Sequence, residues 1–270
     1  MQHPKKSSRP VVKTPTQKPK TSSWGAVASW YDSMLENGSD TYQEAVIAPN
    51  LLRIVAPKKG MKILDLACGQ GYFTRLFTQR GAEAIGADIS PELIAAATKR
   101  SPKIPFFATP AHKLGFAKGE TFHTVTIVLA IQNIENMHEV FAEAWRVLKP
   151  GGTLVLVMNH PVFRNPKQTH WGYDQGNNVQ YRRVDSYLSQ SSVAIDMHPG
   201  QKASGKNTEQ TLSFHRSLQD FFKAFTKVGF SVTRLEEWIS HKESQSGPRK
   251  KAEDRARKEI PLFMMIEARK

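Results

Sequence analysis

The chain has 270 residues, of which 39% are hydrophobic, and a formal net charge of +14. This length allows one sizeable core, and the composition excludes a collagen-like or wholly disordered protein. There is no apolar run near the ~18 residues of a transmembrane helix, no apolar stretch typical of a secretory signal, and one cysteine, Cys68, which cannot form an intramolecular disulfide. These features predict a cytoplasmic protein.

Most of the positive charge lies in two segments. Residues 1–22 contain six basic and no acidic residues, and their Lys, Pro, Ser and Thr content predicts a disordered basic tail. Residues 242–258 contain seven basic and three acidic residues, and we expect a basic loop over 241–258. Basic segments either contact polyanions or stay solvated, so a nucleic-acid partner remains open.

Residues 23–270 are predicted to form a single domain in which strands alternate with helices. A helical pattern covers 42–57 and is interrupted at Pro49. Apolar or β-branched runs predict strands at 62–67, 83–88, 105–109, 122–131, 153–158, 231–239 and 260–268. Helical spacing, caps and glycine stops between them predict helices that begin near residues 72, 91, 137 and 218. This alternation predicts an α/β fold with a Rossmann-like, seven-stranded, mostly parallel sheet covered by helices on both faces.

The most informative motif is ILDLACGQGYFT, residues 63–74, which leads from a predicted strand through Gly69-Gln70-Gly71 into a helix. The glycines permit a tight turn and the approach of a ligand to the backbone, and the helix begins with free N–H groups. The next predicted strand ends at Asp88, where an acid can accept both hydroxyls of a ribose.

The same motif argues against a dinucleotide. The dinucleotide fingerprint requires a third glycine where this chain has Thr74, and it does not require an acid such as Asp65 inside the first strand. Asp65 is placed to hold an ammonium group. A ligand with a ribose and an amino-acid part but no pyrophosphate fits better, and S-adenosylmethionine is such a ligand.

Four segments in this order resemble the class I S-adenosylmethionine-dependent methyltransferases, in the small-molecule branch that includes the ubiquinone and menaquinone biosynthesis type. They are LDLACGQG (64–71), GADIS (86–90), FHTVTIVLAIQNI (122–134) and EVFAEAWRVLKPGGTLVL (139–156). The resemblance implies transfer of a methyl group from S-adenosylmethionine to a small molecule. It also implies the cofactor-binding residues, namely Asp65, Ala67, Gly69, Gly71, Asp88, Ile89, Ala111, Leu129 and Gln132. The acid that the family has before this alanine is Pro110 here, and His112 is the alternative contact for the adenine amino group.

In-line displacement of the methyl group requires an aligned acceptor and, where needed, a general base. Three candidates are His160 after the fifth strand, His215 before the last helix, and Tyr31 near the N-terminus. The nine histidines have no tight metal-ligand spacing, so we expect no metal site.

The stretch 159–216 is too long for an ordinary connection, and we expect an inserted cap over the carboxyl edge of the sheet. Trp171, Tyr173 and Tyr181 either line an acceptor site within it or form its small core. The loop Ile131–Ile134 lacks the proline and the aromatic residue typical of base-methylating enzymes. An RNA-directed methyltransferase that uses the basic tail and loop for phosphate contacts is the alternative. The sequence does not indicate an oligomeric state.

Overall fold

The computed structural model describes residues 40–196 and 210–270. Tyr31 and the 1–22 tail lie outside these ranges. The helices are α1 (Ala48–Val55), α2 (Tyr72–Gln79), α3 (Pro91–Arg100), α4 (Met137–Val147), α5 (Leu218–Val228) and α6 (Lys250–Glu259). The strands are β1 (Lys62–Leu66), β2 (Glu83–Asp88), β3 (Phe106–Ala108), β4 (Phe122–Val128), β5 (Leu148–Asn159), β6 (Thr169–Asp174), β7 (Val179–Val184), β8 (Ser191–Asp196), β9 (Gln210–His215), β10 (Ser231–Trp238) and β11 (Phe263–Arg269).

Seven strands form one sheet in the order β10-β11-β5-β4-β1-β2-β3. Within it, β11 runs antiparallel to both neighbours, and the other pairs are parallel. This confirms the predicted mostly parallel, seven-stranded fold. The carboxyl ends of β1, β2, β4 and β5 therefore meet at one edge of the sheet, which is where open α/β sheets bind ligands.

The core has an apolar layer on each face of the sheet because side chains alternate along the strands. In β1, Leu64 faces the layer that contains α4 and α5, whereas Ile63 faces the layer that contains α1 and α2. Phe141 of α4 and Phe225 of α5 stack with their ring centroids 4.5 Å apart. α4 and α5 therefore pack against each other on one face of the sheet, and α1 and α2 cover the other face.

The helix starts follow the predicted capping chemistry. Ser90 caps α3, since its hydroxyl accepts a hydrogen bond from the Leu93 N–H at 3.2 Å. Ser217 and Asp220 form a capping box at the start of α5, and Gly229 ends that helix with a positive φ. The start of α4 is the exception, because Asn136 precedes the helix but its side chain does not cap it.

Two expectations about local structure were wrong. Pro49 does not interrupt its helix: a π-helical turn over Gln43–Ile47 leads into α1, and Pro49 lies in the first α-helical turn, where a missing N–H costs little. The 241–258 segment is not a loop throughout, because it contains most of α6. Ala252 and Ala256 are buried one turn apart, and Lys250 pairs with Asp254 at 3.0 Å, so this basic stretch has a packed helical face.

The stretch between β5 and α5 forms two antiparallel hairpins outside the main sheet, β6–β7 and β8–β9. The β6–β7 hairpin packs against α6. The β8–β9 hairpin packs against a short 3-10 turn, Ile131–Asn133, that follows β4. None of the helices in the described ranges has the length and apolar character needed to cross a membrane.

Candidate active site

A cavity of about 540 Å³ opens at the carboxyl edge of the sheet. Its walls come from the turn after β1, the end of β2, residues 110–112, the loop after β4, and the β8–β9 hairpin. Because these segments are far apart in sequence, the parallel sheet and the second hairpin together create the cavity.

Two cavity residues have a strained backbone. Ala67 follows β1 with φ of 58°, and Leu129 follows the neighbouring β4 with φ of 54°. Positive φ is uncommon for residues with a side chain and is often retained at functional sites. Both residues line the cavity and both were predicted to contact the cofactor.

Asp65 is buried at the floor of the cavity, with 1% of its surface exposed. The hydroxyl of Thr74 donates to Oδ2 at 2.6 Å, and that of Thr126 donates to Oδ1 at 3.0 Å. Burial raises the pKa of Asp65 to about 6, and the two threonine hydroxyls oppose this rise. Thr74 occupies the position of the third dinucleotide glycine and instead holds this carboxyl group.

Asp88 ends β2 and lies against the turn after β1. Its Oδ2 accepts a hydrogen bond from the Gly69 N–H, and its Oδ1 accepts one from the Ser90 N–H, both at 2.9 Å. Burial raises the pKa of Asp88, and these N–H groups counteract the rise. Each carboxylate oxygen has a second lone pair, so Asp88 can still accept hydrogen bonds from a ligand.

The turn between Asp65 and α2 makes a close backbone cradle. Gly69 and Gly71 have φ of 55° and 77°. A Cβ at Gly71 would lie 2.6 Å from the Phe106 ring, so a larger residue would have to displace that ring. Gln70 lines the cavity, and its buried Nε2 has no hydrogen-bond partner among the described residues. Two carboxyl groups and an open backbone fit a ligand with a ribose and an amino-acid part.

Other predicted cofactor residues separate into two groups. Ile89, Pro110, Ala111 and His112 line the cavity beside Asp88, and Ile89 is 58% exposed, so its apolar side chain is accessible to a ligand. Gln132 does not line it. The Gln132 amide donates to the Leu129 carbonyl at 2.7 Å, so it braces the loop after β4. Gly71 shapes the turn without forming part of the cavity wall.

His160 does not reach the cavity, so the structure does not support it as a base. It is 1% exposed, its Nδ1 accepts a hydrogen bond from the Val162 N–H at 3.2 Å, and its Nε2 lies 2.7 Å from Glu237. Since Nδ1 is an acceptor, the ring proton lies on Nε2 and is donated to Glu237. Burial lowers the pKa of His160. His160 therefore links β5 to β10 as a neutral residue.

His215 is also removed from the cavity. It lines a neighbouring polar depression, and its Nε2 donates to the Tyr187 carbonyl at 2.7 Å. Both histidines were predicted from their position beside the sheet edge, and sequence position alone cannot show that a side chain turns into the core.

The aromatic residues of the first hairpin are not part of the cavity either. Trp171 and Tyr181 are 46% and 49% exposed. Tyr173 lies under the Arg249 guanidinium, 4.4 Å from its ring centroid. Of the two alternatives for these rings, the structure does not support the lining of an acceptor site, because β6–β7 packs on α6 and the cavity wall comes from β8–β9.

The second half of the cavity was not predicted residue by residue. Its apolar wall combines Ile134 of the loop after β4 with Ala194, Leu212 and Phe214 of the second hairpin. The Asn133 amide donates to the Leu212 carbonyl at 2.9 Å and joins the two segments. Alternation of Leu212 and Phe214 along β9 is the sequence signal that could have identified this wall.

Cys68 and the acidic residues do not suggest other chemistry. Burial, followed by the charges of Asp65 and Asp88, raises the pKa of the Cys68 thiol well above its usual value, which keeps it from acting as a nucleophile. Within residues 40–196 and 210–270, no group of three His, Cys, Asp or Glu side chains is arranged to hold a metal ion.

Comparisons with known proteins agree with this geometry. The family described as "Methyltransferase domain" matches residues 64–156. A demethylmenaquinone methyltransferase from Chlorobaculum parvum is 30% identical over 204 residues, which cover 74% of this chain and 83% of that protein.

Two further proteins extend the comparison. The ubiquinone/menaquinone biosynthesis C-methyltransferase UbiE from Cereibacter sphaeroides is 34% identical over 129 residues, which span 45% of this chain and half of that protein. The crystal structure of an S-adenosylmethionine-dependent methyltransferase from Mesorhizobium loti superposes with a TM-score of 0.65 and 25% identity, and the match covers 85% of this chain and all of that one.

Proposed function

The chain belongs to the class I S-adenosylmethionine-dependent methyltransferases, and we propose that it transfers the methyl group by in-line displacement to a small, largely apolar acceptor. S-adenosylmethionine is the cofactor of this family. We place the acceptor between the loop after β4 and strand β9. This assignment depends on one observation, which is the apolar wall of Ile134, Ala194, Leu212 and Phe214 that continues the cofactor cavity.

The cofactor would be held by the carboxyl edge of the sheet. Asp88 is placed to accept the ribose hydroxyls, and Ile89 with Ala111 to contact the adenine. Asp65 and the backbone of Gly69 would hold the methionyl end. When bound, S-adenosylmethionine supplies a methyl group that its sulfonium has already activated.

The protein's own contribution is then mainly positioning and the exclusion of water. The apolar wall would hold the acceptor ring with its nucleophilic atom toward the methyl group, and such alignment can supply up to about 7–11 kcal/mol of the barrier reduction. The ionisable side chains of the acceptor half that the structure describes include Glu135, which is exposed at the rim. His160 and His215 do not line the cavity, so we assign neither as a base, and we favour an acceptor that is itself electron-rich.

The relatives support a ring-shaped acceptor of quinol type. Their names refer to demethylmenaquinone and to C-methylation in ubiquinone and menaquinone biosynthesis. An aromatic or quinol ring would pack on Leu212 and Phe214. We infer that a substituted naphthoquinol is the acceptor class to test first.

The test is transfer of tritium-labelled methyl groups from S-adenosylmethionine to three acceptors in parallel: a reduced naphthoquinone with a short isoprenoid chain, total RNA, and bulk protein. We expect label in the quinol only. Phe214→Ala should lower kcat/KM for the quinol about tenfold through lost packing, because about 1.4 kcal/mol corresponds to a factor of ten. It should leave the Kd for S-adenosylhomocysteine unchanged. Label in RNA alone would refute the quinol and support the RNA-directed alternative.

A further inference from the structure

Arg216 lies directly after β9 and is buried, with 9% of its surface exposed. Its guanidinium donates hydrogen bonds to three backbone carbonyls of one loop. Nη1 donates to Ile131 at 3.3 Å, and Nη2 donates to Ile134 at 2.7 Å and to Glu135 at 2.5 Å. These carbonyls belong to the loop that follows β4 and faces the second half of the cavity.

A second link joins the same two elements. The Asn133 amide, in the middle of the loop, donates to the Leu212 carbonyl of β9 at 2.9 Å. Asn133, Ile134, Leu212 and Phe214 all line the cavity. The loop and β9 are thus connected on both sides of the wall that we assign to the acceptor.

We propose that Arg216 is a positioning residue: by binding the carbonyls of Ile131, Ile134 and Glu135 it fixes the loop and β9 as one unit and so shapes the acceptor half of the cavity before the acceptor binds. This proposal rests on the proposed function for the location of the acceptor. It adds a residue that does not itself line the cavity and acts through its neighbours, namely the loop and Phe214, whose ring centroid lies 5.5 Å from the guanidinium carbon.

The chemistry of the group supports this role. A buried cation usually pairs with a carboxylate, and here the hydrogen-bond partners of the guanidinium are carbonyls. Burial lowers the pKa of Arg216, and the charges of Asp220 and Glu135 oppose this. The planar fork of arginine can reach several carbonyls at once, which the single ammonium of lysine cannot do with the same geometry. Arginine at position 216 therefore supplies several hydrogen-bond donors to the loop carbonyls, although burial of its charge is unfavourable.

Loss of Arg216 should free the loop without affecting the cofactor half. Without Arg216, the loop conformation that binds the acceptor becomes only a small fraction of the population. The apparent Kd for the acceptor then equals the intrinsic Kd divided by that fraction. We expect a rise of about tenfold or more in the acceptor KM for Arg216→Ala, with the Kd for S-adenosylhomocysteine within about twofold of wild type.

Hydrogen exchange of the S-adenosylhomocysteine complex tests the proposal without any acceptor. In Arg216→Ala, amides of residues 131–136 and 210–215 should exchange at least about tenfold faster, and those of 62–70 and 83–90 should not change. Arg216→Lys should give an intermediate result, and added guanidinium ions should restore protection in Arg216→Ala.

Arg182→Ala is the matched control. Arg182 is also an arginine of the inserted hairpins, and it donates to the Phe163 carbonyl at 2.9 Å and to the Thr169 hydroxyl at 2.7 Å. Its removal should leave exchange at 131–136 unchanged. If Arg216→Ala does not fold, the Arg216→Lys comparison carries the test.

The outcomes separate this proposal from the proposed function. Faster exchange at both segments together with no methyl transfer to quinols would refute the acceptor class and leave the role of Arg216 intact. Unchanged exchange, an equal increase throughout the chain, or no rescue by guanidinium would refute the positioning role whatever the acceptor is.

Discussion

Cofactor binding should depend on pH through Asp65. Burial raises the pKa of this carboxyl group from its ordinary value near 3.8 to about 6. The methionyl end of S-adenosylmethionine is cationic and favours the ionised carboxylate. With a pKa of about 6, roughly one carboxyl in eleven is ionised at pH 5, against nearly all at pH 7.5. The Kd for S-adenosylmethionine should therefore rise about tenfold between pH 7.5 and pH 5, which is about 1.4 kcal/mol.

Titration calorimetry in buffers of different ionisation enthalpy measures both the affinity and the proton released on binding. Asp65→Asn is the control, since it cannot ionise, its amide oxygen can accept a hydrogen bond from one threonine hydroxyl, and its NH2 group can donate to the other. Asp65→Asn should bind S-adenosylmethionine more weakly at pH 7.5, and its Kd should change less with pH. We attribute the pH dependence that remains in this variant to Asp88. Equal pH dependence in the two proteins would show that Asp65 does not sense the cofactor charge.

The raised pKa of Asp65 affects the stability of the free protein in the opposite direction. Cofactor affinity increases with pH, whereas the free energy of unfolding decreases. Because Asp65 is harder to ionise in the folded chain than in the unfolded one, its contribution to the free energy of unfolding is fully present below about pH 4 and is lost as the pH rises through about 6. Thermal unfolding of wild type and Asp65→Asn across this window measures the difference.

Three substitutions test the rest of the site. Asp88→Ala should weaken S-adenosylhomocysteine binding by about 1.5–3 kcal/mol, and unchanged affinity in calorimetry would show that Asp88 only braces the turn. Gly71→Ala should lower the free energy of unfolding by about 1–3 kcal/mol, because φ is 77° and a Cβ would lie 2.6 Å from Phe106; wild-type stability in urea would contradict this. His160→Gln should reduce stability by about 1–2 kcal/mol through its bond to Glu237 yet keep turnover within about threefold, and a large loss of turnover in a folded variant would restore His160 as a catalytic candidate.

The half of the cavity that we assign to the cofactor could be located from the sequence because its residues lie close together in the chain. Asp65, Gly69 and Gly71 lie within seven residues on one strand and its turn, and the period of the apolar residues places the next strand end at Asp88. Local turn geometry and strand order then bring these groups together. The positive φ of Ala67 and Leu129 could not be predicted from the sequence, since neither alanine nor leucine favours a positive φ.

The errors arose where tertiary packing decides the direction of a side chain. His160 was correctly placed after β5, but its ring turns toward β10 and Glu237, which is 77 residues away in sequence. Trp171 and Tyr181 look like a binding surface in the sequence and are exposed on a hairpin that packs against α6. Arg216 was missed because a single arginine before a helix cap has no pattern that indicates three carbonyl partners.

The two halves of the cavity differ in whether they lie within the region that matches the family. The matched region, residues 64–156, contains the motifs of the cofactor half and the loop after β4. The other wall of the acceptor half comes from Ala194, Leu212 and Phe214, beyond that region. Since Arg216 and Asn133 connect this wall to the loop, the two parts act together although one is common to the family and the other belongs to the inserted hairpins. We therefore expect cofactor identity to follow from the motifs in the matched region, and we propose that the β8–β9 hairpin and the loop held against it select the acceptor.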